Sequence, residues 1–146
     1  MGSLLFTIAG QLTEQFVLSR LQHDGESLLS AVNFDAQGQL KISGDRLSDI
    51  YERPLSGHYY QVLTKDAAPV VSRSLWDTTL QANLLVPGEV SNWLTIGPDD
   101  QHLLIWSAAY LKQQQSITIV VAENLSPLQQ TLTRYSAALT GLTFVF

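Results

Sequence analysis

The chain has 146 residues, a net charge of -5, 45% hydrophobic residues and 14% charged ones. That is enough for one packed domain, and too apolar for a disordered chain. The eight Lys and Arg residues are scattered without a basic stripe, which excludes nucleic acid as a partner.

The sequence contains no cysteine, so disulfides, thiolate metal sites and a Cys nucleophile are all excluded. No apolar run reaches the roughly 18 residues that span a bilayer. Residues 4–10 and 137–146 are nevertheless apolar and almost uncharged. One reading is helix ends packed on the core. The other, adopted here, makes 1–10 and 137–146 the fringes of flanking transmembrane helices.

In chain order, apolar residues Leu5, Ile8, Leu12, Phe16, Val17, Leu21, Leu28 and Leu29 recur mostly at three- and four-residue steps. That spacing predicts one long helix ending near Val32. Gly25 is a soft spot in it, worth about 1 kcal/mol relative to Ala. Residues 39–43 alternate as a short strand, and a brief helix is expected through Leu47, Ile50 and Tyr51 before Pro54. Two hairpin strands follow, at 58–63 and 70–75. Residues 78–87 read as a loop and 89–96 as a strand, followed by the turn Gly97-Pro98-Asp99-Asp100. A longer hairpin is expected from 102–111 and 116–122. Ser126 reads as the N-cap of a last helix, with Pro127 at its first position and Leu128, Leu132, Tyr135 and Leu139 facing inward. Tight turns force antiparallel pairing. The pattern is therefore α+β, one domain over 1–146, with a long N-terminal helix across a five- to six-stranded antiparallel sheet.

Catalytic constellations are not found. His23, His58 and His102 lie on separate elements without ligand spacing, so no metal site is expected. There is no nucleophile elbow and no Gly-rich phosphate loop. No cofactor and no catalysis are expected of this chain. Binding remains. His58, Tyr60, Arg73 and Trp76 fall close together on the first hairpin, where a guanidinium beside aromatic rings suits a small carboxylate or an aromatic ligand. The opposing reading puts Tyr60, Trp76, Trp93 and Trp106 in the core and pairs Arg53 and Arg73 with Glu52 and Asp77.

Three segments carry a resemblance. Arg53-Pro54-x-Ser56-Gly57-x-Tyr59-Tyr60-Gln61-Val62 is followed by Ser72-Arg73-Ser74-Leu75-Trp76-Asp77 and then by Val121-Ala122-Glu123-Asn124-Leu125-Ser126-Pro127-Leu128. In this order they resemble the extracytoplasmic sensor region of bacterial two-component histidine kinases. The resemblance runs from about Leu12 to Tyr135. It implies a PAS-like (PDC-type) sensor fold, an inner-membrane parent with this domain in the periplasm, and a homodimer through the N-terminal helix. It also implies a small-molecule, ion or periplasmic protein signal, passed on by changes in helix packing. The chain carries no phospho-accepting His motif or nucleotide-binding boxes, so kinase activity is expected of the full-length parent and not of this part. The alternatives are a stand-alone periplasmic binding module and a helix-mediated interaction protein.

Overall fold

The computed structural model describes residues 2–128 and 130–134, with side chains from Gly10 onward apart from Arg46. Helix α1 (Gly2–Ala31) is followed by a two-stranded ribbon, β1 (Val32–Phe34) and β2 (Leu40–Ile42). The main sheet holds β3 (His58–Thr64), β4 (Val70–Val71), β5 (Val90–Ile96), β6 (His102–Lys112) and β7 (Gln115–Asn124). Its order is β4-β3-β7-β6-β5, with every neighbouring pair antiparallel. The chain leaves the sheet at one edge, re-enters at the other, and meanders back until β7 lies beside β3. This α+β arrangement fits a PAS-like fold. The expected five or six strands resolve into five plus the separate ribbon.

Residues 126–128 and 130–134 are helical and form α2. Leu128 packs against the core that α1 covers. Tyr135, Leu139 and the apolar stretch 137–146 lie outside the described residues. Among the described residues no helix is long and apolar enough to cross a membrane.

Three local expectations are corrected. The brief helix before Pro54 is two 3-10 turns, Gly44–Arg46 and Asp49–Glu52. The second hairpin strand stops at Val71 and becomes a 3-10 turn at Arg73–Leu75. The hydroxyls of Ser72 and Ser74 cause this. The Ser72 N–H still bonds the Tyr60 carbonyl (2.9 Å), but Ser72 Oγ accepts from the Tyr60 N–H (3.1 Å) and Ser74 Oγ donates to the His58 carbonyl (2.6 Å), so beyond that bond side chains take the place of the strand ladder. At α2 the capping side chain is Asn124, whose Oδ1 accepts from the Ser126 N–H at 3.0 Å. Ser126 is already helical.

The β6–β7 hairpin closes with Lys112 opposite Gln115, and Gln113 and Gln114 both have positive φ (51° and 66°). This is the two-residue turn whose twist matches its strands.

The sheet has two buried faces. On one, α1 lays Val17, Leu21 and Leu28 against Leu104, Trp106, Ile117, Ile119 and Val121. On the other, a strap (residues 78–86) covers Leu63, Leu103, Ile105, Val120 and Ala122 with Leu80 and Ala82. Gly25 completes the α1 stripe, and its missing side chain is what admits Trp106. A Cβ there would lie 2.3 Å from Trp106 Cζ3.

Propensity alone makes Gly25→Ala stabilising by about 1 kcal/mol. The indole reverses the sign, since overpacking a core typically costs about 1–3 kcal/mol. Urea unfolding of Gly25→Ala is expected to show a net loss of stability, and a gain would show that the helix moves away from the ring freely.

Candidate functional site

Strand alternation fixes which face each side chain of β3 serves. His58, Tyr60 and Val62 point toward the α1 side, while Tyr59, Gln61 and Leu63 point toward the strap. The four expected ligand residues therefore gather in two pairs. Arg73 and Trp76 share an open depression of about 360 Å³ with Glu52, Pro54 and Asp77. Arg73 Nη1 stands 3.7 Å from Glu52 Oε2, both largely exposed, and such a pair contributes about 0–1 kcal/mol. Trp76 is 65% exposed at φ 60°, so it does not fill the core as the opposing reading had it. His58 and Tyr60 instead meet Tyr51, with ring centroids 6.2 Å and 5.6 Å away.

His58 belongs to a polar cluster between α1 and the sheet. Glu123 of β7 is 3% exposed and sits directly opposite His58 in the β3–β7 register. Its carboxylate takes both Arg20 Nη2 and, at 3.1 Å, Arg20 Nε from α1. His58 Nδ1 lies 3.4 Å from the same carboxylate. One turn along α1, Asp24 accepts from the Tyr51 hydroxyl at 2.7 Å. Burial, aided by the Asp24 hydrogen bond, pushes the Tyr51 hydroxyl well above its ordinary value. Burial, and then the Arg20 charge, lower His58 below its usual 6.5 against the opposing pull of Glu123 and Asp24.

The strap face carries a second polar arrangement. The Gln61 amide is buried and forms two bonds with one strap residue. Its Nε2 donates to the Leu80 carbonyl (2.9 Å), and its Oε1 accepts from the Leu80 N–H (2.8 Å). Thr118, also buried, accepts from the Leu85 N–H at 3.1 Å. Held at both points, the strap bridges a cleft of about 630 Å³ lined by Gln81, Ala82, Asn83, Leu85, Ser91, Trp93 and Ser107. Among the described residues, no group of three His, Asp or Glu side chains is placed to hold a metal ion.

Sequence reasoning missed Gln61, Ser107, Thr118 and Glu123. The signal was a polar residue flanked by apolar ones within a strand, as in Ile117-Thr118-Ile119, with β7 carrying two buried polar positions, Thr118 and Glu123.

Comparison with known proteins gives one informative match. Over 124 residues the chain is 32% identical to "Sensor protein kinase CarS" of Pseudomonas aeruginosa PAO1, covering 82% of this chain and 26% of that protein. The chain thus spans about a quarter of the length of the curated relative it matches. No family model matches the chain. No solved structure matches it either.

A base whose pKa is lower in the folded state takes up fewer protons there than when unfolded. Stability is then full above pH 6.5 and is lost as pH falls through the lowered His58 value. Denaturant midpoints measured across pH 4–8 are expected to decline on the acid side, and His58→Gln is expected to flatten that decline. An identical decline in the variant would assign it to other groups.

Proposed function

We propose that this homologue of a sensor protein kinase is the signal-receiving domain of a membrane-bound two-component histidine kinase. It faces the bacterial periplasm and works as a homodimer. The observation that carries the reading is the shape of the match: 82% of this chain against 26% of the kinase. The shared part is one module beside a larger remainder. In such a parent, phosphotransfer belongs to that remainder, and flanking helices attach the domain to the inner membrane.

Two features support transmission through helix packing. Leu12 and Phe16 on α1 are 62% and 66% exposed, away from the core that the helix covers. A second α1 laid against them would bury that apolar surface. At the other end of the path, Glu123 is held by Arg20 of α1 and lies three residues before the start of α2. A shift of α1 therefore reaches the outgoing helix through one side-chain pair. That is the kind of local packing change that biases a two-state element.

The reading is tested first on the gene. The reading frame should run on past Phe146 through an apolar span into a kinase module, and a stop codon at that point overturns it. Sedimentation over a concentration series is expected to show self-association, weakened about tenfold or more by Phe16→Glu. A profile unaltered by the substitution would remove α1 from the interface.

A further inference from the structure

The strap-face cleft contains a hydroxyl that the fold does not use. Ser107 is 1% exposed, and its Oγ is the buried side-chain polar atom without a hydrogen-bond partner among the described residues. Buried polar groups are nearly always paired, because an unpaired one loses its water bonds without compensation. Ser107 is one of the residues that line the cleft, and its hydroxyl sits just beneath that wall. Ser91 stands directly opposite it in the β5–β6 register, and Trp93 is the next residue of β5 on that face. Gln81 and Asn83 of the strap complete the wall. Four side chains able to both donate and accept thus surround one half-buried indole, and no charged residue lines the space.

That composition selects a ligand. A carboxylate, phosphate or amine entering the cleft would shed water without gaining a countercharge, which is unfavourable. A neutral molecule bearing several hydroxyl or amide groups matches the serines and amides, and an apolar ring face matches Trp93. The volume of about 630 Å³ lies within the ordinary range for small-molecule sites. The strap is also pre-formed, since Gln61 and Thr118 fix Leu80 and Leu85 on either side of the cleft. We propose that this cleft is a binding site for an uncharged polyhydroxylated ring, of the size of a mono- or disaccharide, with Ser107 donating to it and Trp93 packing on its face. The inference rests on the sensor reading only for its meaning as a signal.

The test uses the 146-residue chain. D-glucose, D-galactose, N-acetylglucosamine, myo-inositol and maltose would be titrated beside citrate, glutamate and spermidine, followed by the indole N–H resonances and the thermal midpoint. At least one neutral compound is expected to move the Trp93 indole signal and raise the midpoint, while the charged compounds do neither. Ser107→Ala, which removes an unpaired hydroxyl, is expected to fold with an unreduced midpoint and to lose at least tenfold in affinity. Trp93→Leu should lose the response entirely. Failure of every neutral compound overturns the proposal. So does a charged compound bound at Trp93, or a response unaltered in Ser107→Ala. None of these results bears on whether the gene continues into a kinase, so the two readings fail separately.

Discussion

Strand β7 has no solvent face, and most of the architecture follows from that. It is paired along both edges, to β3 and to β6, and every residue from Ile117 to Glu123 is buried. A strand buried on both sides needs a cover for each. The odd-numbered side chains Ile117, Ile119 and Val121 receive α1, and Val120 and Ala122 receive the strap. The alternation leaves Thr118 facing the strap and Glu123 facing the helix. Each meets its partner there: the Leu85 N–H for Thr118, and Arg20 for Glu123.

The Arg73–Glu52 and Arg20–Glu123 ion pairs show how burial decides worth. Arg73 and Glu52 are both solvated, and losing either would scarcely change the fold. Glu123 is buried, so losing Arg20 would leave its carboxylate, among the described residues, with only the His58 imidazole at 3.4 Å, and a buried charge deprived of its partner is among the costlier defects a domain can carry. Arg20 itself is partly exposed, so the asymmetry runs one way: the carboxylate depends on the guanidinium more than the reverse. For this reason the α1–β7 pair anchors the helix, while the pair beside Trp76 decorates the surface.

Much of the fold was legible because local chemistry and periodicity agreed. Strands β5, β6 and β7 fell within a residue or two of their expected limits, bounded by the turns at Gly97 and Gln113. The failures came where long-range partners overrode local pattern. Residues 70–75 alternate like a strand, yet after the Ser72 N–H bond to Tyr60 the contacts to β3 pass to the Ser72 and Ser74 hydroxyls and the backbone coils. That coil carries Arg73 out of the sheet and divides the expected ligand cluster. The strap cleft was invisible for another reason. Its walls come from residues 81–85, 91–93 and 107, and only the β5–β6 register brings Ser91 opposite Ser107. No spacing rule reads a pairing across a sheet from one sequence.

The notch at Gly25 limits how α1 can move. The Trp106 ring occupies the gap at Gly25 in a stripe that, among the described residues, is otherwise made of Val17, Leu21 and Leu28. Sliding the helix along its axis by one turn, about 5.4 Å, would bring Leu21 or Leu28 and Leu29 onto the indole. Each is far larger than the hydrogen atom now facing it, so axial travel is blocked in both directions. Rocking about the ring keeps the glycine in place and swings the two helix ends oppositely. The joint between helix and sheet is therefore a fulcrum rather than a slide.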